Sequence, residues 1–204
     1  MGIRSKPAGR RPASRRAAAP DVATPTSGVG LAPGPSLVSA TLPRVWQGTG
    51  YRPLPHADAA RRLFDFAAAP WPETATPLFC WGAHVAAGTG ERLVGAVVAE
   101  RAERAAMLYG PVIEVAPAMG GGEIVDALEV AAQLVAAALD HASALGVETV
   151  FARPQGLDRI WIRYGFLPVP EGALPAALGG RQGVGLYAWR GGTALWTFRE
   201  RPQD

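Results

Sequence analysis

Along the chain the spacing of apolar residues changes several times, and each change predicts an element boundary. Val45–Leu54 has strand character. Asp58–Ala69 then sets Ala59, Ala60, Leu63, Phe64 and Ala67 at helical spacing, with Arg61, Arg62 and Asp65 opposite and Asp58 as the expected N-cap. Three apolar runs follow Pro70 and Pro72: Leu78–Ala86, Leu93–Ala99 and Met107–Val115. The first two are joined by Ala87-Gly88-Thr89-Gly90-Glu91, which reads as a hairpin turn. Leu93–Val98 is apolar on both faces, as a strand covered on both sides should be. Glu123–Leu145 predicts the strongest helix, with Asp126, Glu129, Gln133 and Asp140 on one narrow stripe and Gly146 as its stop. Val147–Ala152 reads as a short buried strand, Leu157–Tyr164 as a short helix and Phe166–Val169 as a strand. The glycine-rich run Gly179–Gly185 leads into further strands at Leu186–Trp189 and Ala194–Phe198.

A hairpin pairs antiparallel, whereas a long helix between two strands implies a parallel crossover. The expected architecture is therefore α/β, a mixed central sheet with helices on both faces. The domain is expected over 44–204. Residues 1–43 hold no aromatic residue and are rich in Pro, Ala and Arg, so they are expected to be a disordered basic tail.

Charge sharpens this division. The net charge is +3, but residues 1–16 hold six of the 20 basic residues and no acid, so 14 remain against 17 acids. The domain is mildly acidic and the tail carries the basicity. Such an arm has two readings, contact with nucleic acid or anionic lipid, and a solvated tail. It has no aromatic residues interleaved to stack on bases. No run reaches the roughly 18 apolar residues of a membrane span. The arginines are not followed by an apolar signal segment, and Pro7, Pro12 and Pro20 break the helix of a transit peptide. A cytoplasmic protein is expected. The single cysteine, Cys80, lies in an apolar run and reads as a buried thiol.

Several chemistries are excluded by residue type. Lys6 is the only lysine, so the domain offers neither a Walker-type phosphate loop nor a Schiff-base lysine. Beyond Ser39 the only serine is Ser143, inside the long helix, which leaves no nucleophile elbow. His56, His84 and His141 lie in separate segments without metal-ligand spacing, and no metal site is expected. Gly180–Gly185 looks like a phosphate loop but leads into a strand, so a turn is its expected role.

Two segments, in order around the long helix, carry a family resemblance. Leu108-Tyr109-Gly110-Pro111-Val112-Ile113-Glu114-Val115-Ala116-Pro117 resembles the Gly-Pro strand, ending in Val-x-Pro, of the GNAT superfamily of acyl-CoA-dependent N-acyltransferases. Trp161-Ile162-Arg163-Tyr164-Gly165-Phe166 resembles the short helix that closes on Gly-Phe in the same family. The resemblance covers about Val45 to Phe198 and implies a GNAT-like fold. It also implies transfer of an acyl group, expected to be acetyl from acetyl-CoA, to a small amine that attacks directly. A GNAT-derived binding or regulatory domain without catalysis is the alternative.

The resemblance also proposes site residues. Val112, Ile113 and Val115 would line the pantetheine arm, and Gly120, Gly121 and Gly122 would cradle the pyrophosphate at the start of the long helix. That loop departs from the family pattern at Met119 and Ile124, and Glu123 and Asp126 place negative charge beside it. Glu114 is the expected base for the amine, or else an outward-facing strand carboxylate. Trp161 stands where the family has its general-acid tyrosine. Tyr164, one helical turn on, would supply the proton, or else packs under the Gly-Phe corner.

Overall fold

The computed structural model describes residues 36–114 and 126–191. The strand expected at Ala194–Phe198, the glycine cradle and Val115 lie outside the described residues. Of the chain's two compact units, Pro33–Asp204 holds everything described.

The first ordered element lies inside the segment that the sequence assigns to the tail. It is the single turn α1 (Leu37–Ala40), capped by Ser36, whose hydroxyl accepts from the Ser39 N–H at 3.2 Å. Ala40 is fully buried, because α1 packs on the long helix α3 (Ala127–Ala144). One strand was expected over Val45–Leu54, but the structure has two, β1 (Arg44–Trp46) and β2 (Thr49–Pro53). Gln47 and Gly48 both take positive φ and form the two-residue turn that suits twisted antiparallel strands. Helix α2 (Asp58–Phe66) begins one residue earlier than the cap assignment allows: Ala57 is the N-cap, and Asp58 is the first helical residue. There its charge still complements the helix dipole.

Next come β3 (Phe79–Ala87), β4 (Gly90–Ala102) and β5 (Ala105–Ile113), a meander of antiparallel strands. Helix α3 then leads to β6 (Thr149–Ala152), which pairs parallel with β5 as a crossover requires. Helix α4 (Asp158–Arg163), β7 (Leu167–Pro168) and β8 (Tyr187–Trp189) complete a sheet of order β1-β2-β3-β4-β5-β6-β8-β7. Gly179–Gly185 is not a tight hairpin turn. It belongs to the long connection between β7 and β8, which also holds two short 3-10 turns.

Strand alternation divides the core between the two sheet faces. Val97, Ala99, Ala106 and Leu108 face α3 and α4, while Ala96, Val98, Met107 and Tyr109 face α2. On the α3 side Leu134, Val135 and Leu139 are wholly buried, each contributing about 1.5–3 kcal/mol by area. Gly95 lets this helix lie close to the sheet: a Cβ there would meet Ile113 Cδ1 at 2.8 Å and Leu134 Cδ1 at 3.1 Å.

Helix α3 starts later than the hydrophobic pattern suggests. Asp126 is its N-cap and not a first-turn residue, accepting from the Leu128 N–H at 2.9 Å. Its other end is the expected glycine stop. Gly146, at φ 76°, donates to the Ser143 carbonyl, and Val147 reaches back to that of Ala142, the two bonds of a Schellman motif. Helix α4 ends the same way: Gly165 donates to the Ile162 carbonyl and Phe166 to that of Trp161. The Phe166 ring meets Trp161 edge-on at 4.9 Å, the apolar contact that accompanies such a stop. The Gly-Phe corner thus has a local physical cause, independent of any ligand.

Candidate functional site

Strand β5 changes partners along its length, and the site begins there. Its pairing with β6 runs only from Ala105 to Leu108, opposite Thr149 to Ala152. Its other edge stays paired with β4 as far as Ile113, with an irregularity opposite the Gly110-Pro111 step. Proline cannot donate to a ladder, which suits it to such a place. From Tyr109 to Ile113 one edge of β5 therefore has no strand partner among the described residues, a length of about 16 Å at the usual rise per residue.

The open edge carries hydrogen-bonding groups whose direction follows from the strand. The Glu114 N–H donates to the Val94 carbonyl at 2.7 Å, on the β4 side. Alternation turns the N–H and C=O of Ile113 to the opposite edge, where β6 no longer runs. Val112 is buried on the α2 side and Ile113 packs toward α3, so their side chains wall the opening from both faces.

Glu114, next in the chain, points to the α2 side. Its carboxylate accepts from Arg92 Nη1 at 3.0 Å, and both side chains are partly exposed. It borders a cleft of about 460 Å³ between α2 and β4, bounded by Arg62, Leu63 and Phe66 on the helix and by Glu91, Arg92 and Leu93 on the strand. Glu91 is held by Arg52, which keeps its carboxyl below the usual range. The structure thus brings Glu114, Val112 and Ile113 into one region.

Tyr164 is separate from that cleft. It is 3% exposed, lies in the α3-side core and carries the Arg163 guanidinium over its ring at 5.9 Å. Trp161, one turn earlier, is 1% exposed, and its indole N–H is buried without a hydrogen-bond partner among the described residues, which is costly for a buried donor.

A second polar group joins residues that lie far apart in the sequence. Tyr109 donates to Glu100 Oε2 at 2.5 Å, and Arg181 grips the same carboxylate through Nη2 at 2.7 Å and Nε at 3.1 Å. Arg181 also reaches Glu73 at 2.7 Å. Burial would raise the Glu100 carboxyl, but the bonds from Arg181 and Tyr109 outweigh it and hold the group below its usual range. The Tyr109 phenol is pushed well up by burial and by Glu100. Both partners are satisfied, so the cluster ties the β7–β8 connection to the sheet. Tyr109 and Arg181, with Arg153, Gln155 and Gln182, line a small pocket where β5 and β6 part. A charged residue inside the apolar run of β4 was the only local signal for Glu100, and nothing near Arg181 announced its partner 81 positions away.

Among the described residues no group of His, Cys, Asp and Glu is arranged to hold a metal ion. No described helix is long and apolar enough to cross a membrane. Cys80 is buried, and burial pushes its thiol up to about 11.

Comparisons with known proteins add the following. No family model matches the chain, and no curated protein does. Among solved structures it is similar to a GNAT-family acetyltransferase from Staphylococcus aureus MU50, with 13% identity over 55% of this chain and 66% of the other, at TM-score 0.43. N-acetylglutamate synthase from Neisseria gonorrhoeae, complexed with coenzyme A and N-acetyl-glutamate, shares 14% identity over 72% of this chain and 35% of its own, at TM-score 0.49. The ribosomal-protein-S5-alanine acetyltransferase from Vibrio fischeri shares 11% over 73% and 96%, at TM-score 0.45. The chain thus spans about two thirds of the first of these proteins and about a third of the second. The described fold, a meander leading through a long crossover helix to one parallel pair that parts at a Gly-Pro step, is the mixed α/β sheet that the resemblance in the sequence implies.

Proposed function

We propose that this domain transfers an acyl group from acyl-CoA, acetyl-CoA being the expected donor, to a small amine. The observation that carries the reading is the unpartnered edge of β5, which ends beside Glu114 at the cleft under α2. The residues present fit the cosubstrate. Ile113 offers an N–H and a C=O to an extended amide-bearing chain, and Val112 and Ile113 wall it. Val115 and Gly120–Gly122 are proposed to continue the same path, the glycines as a backbone cradle for pyrophosphate.

Bound acyl-CoA would supply an activated thioester acyl group. Glu114 then removes a proton from the incoming amine once its carboxylate leaves Arg92. Backbone N–H groups of β5 are the proposed donors to the negative charge that develops on the carbonyl oxygen under attack. Tyr164 is the proposed proton source for the departing thiolate.

The burial of Tyr164 and the tryptophan at position 161 favour a second reading, an acyl-CoA-binding domain without catalysis. One experiment separates the two. Calorimetric titration with acetyl-CoA should give heat and raise the melting temperature by mass action. No heat and no shift at about 1 mM would remove both readings. Binding without release of free thiol across a panel of amines would leave only the second.

A further inference from the structure

We propose that the cleft between α2 and the end of β5 takes an amine that also bears a carboxylate on an apolar body. The inference rests on the acyl-transfer reading, in which Glu114 meets the amine. Three features of the cleft lead to it.

The first is charge. Arg52 is matched by Glu91 and Arg92 by Glu114, so these two pairs cancel. Arg62, which borders the same cleft, has no ion pair or hydrogen bond among the described residues. The local balance is one unmatched positive charge. A polyamine would be repelled, and a bare alkylamine would leave Arg62 uncompensated beside it.

The second feature is the apolar wall. Phe66 is 83% exposed at the end of α2, although Leu63 and Phe64 of the same helix are buried. Its ring borders the cleft together with Leu63 and Leu93, so apolar side chains share the lining with Arg62 and Glu114. An exposed ring on the wall of a cleft offers an apolar surface to a small ligand.

Size is the third. A volume of about 460 Å³ falls in the range of small-molecule sites and is too small for a folded partner. Amine toward Glu114, apolar body along Phe66 and carboxylate toward Arg62 sets each charged end of the ligand against a lining group of opposite charge.

The test is calorimetric binding of two matched pairs, L-phenylalanine against phenethylamine and 6-aminohexanoate against pentylamine. The pairs differ in the spacing of amine and carboxylate. In at least one pair the carboxylate should bind about five-fold tighter or more, a preference that shrinks as salt rises. Arg62→Gln should reduce that ratio to about one, and Arg62→Lys should restore part of it. Equal or weaker binding of the carboxylate in both pairs overturns the proposal, as does a preference that survives Arg62→Gln. Acceptor binding is read without acetyl-CoA. A failure of the protein to bind acetyl-CoA would therefore sink the acyl-transfer reading without deciding this one.

Discussion

Arg181 and Glu100 meet in the interior as a two-point ion pair, with Nη2 at 2.7 Å and Nε at 3.1 Å from the carboxylate oxygens. The side chains are 12% and 6% exposed, so the pair is shielded from the solvent that weakens surface bridges. Removing one partner strands the other. Arg181→Met should cost about 3–5 kcal/mol in urea unfolding, and the double change with Glu100→Leu should cost less than the single one.

The same pair predicts an acid dependence. Glu100 is held below its usual range when folded, so its contribution is complete above the unfolded value of about 4.3 and is lost as pH falls through the folded one. The parent should therefore lose more stability than Glu100→Gln between about pH 5 and pH 3. Parallel curves would show that other carboxylates dominate.

A second titration belongs to His141. Its Nδ1 accepts from the Trp81 indole N–H at 3.0 Å, and Phe79 stacks on its ring at 4.5 Å. Burial depresses its basicity, so the neutral ring is the folded form. The unfolded chain binds the extra proton more readily, and stability should decline as pH falls below about 6.5. His141→Gln should flatten that decline, measured by thermal melts with tryptophan fluorescence reporting on Trp81.

At the proposed acyl site, Glu114→Gln should leave acetyl-CoA affinity near that of the parent while lowering kcat about 10²-fold or more. A variant that keeps the kcat of the parent would move the base elsewhere. In the proposed pyrophosphate cradle, Gly121→Val should abolish acetyl-CoA binding, because a branched side chain blocks the close backbone approach. Glu123→Gln should tighten binding, more so at low salt.

Truncation tests the start of the domain. Deleting residues 1–35 should leave the melting temperature nearly unchanged. Deleting 1–43 should lower it by a few degrees, since Ala40 and its contact with α3 go too. Equal melting temperatures would return the boundary to residue 44.

Much of this protein follows from local rules, and the sequence by itself determined those parts. The apolar runs of β3, β4 and β5 are long and bounded by turn residues, so pattern alone places their ends within three residues. Gly146 and Gly165 stop their helices because only glycine readily takes the left-handed conformation of a Schellman motif. Alternation along β5 put Val112, Ile113 and Glu114 together, since neighbours on one strand stay neighbours whatever the fold. Only the tertiary structure decided the rest. The short run Val45–Leu54 became a hairpin through a turn that no glycine pair announced. Glu100 found Arg181, and Arg62 and Phe66 came to share a cleft with Glu114, because these meetings depend on how the sheet and α2 pack. A side chain's periodicity fixes which face it takes; its partner across space is set by the packing of whole elements, which no local pattern encodes.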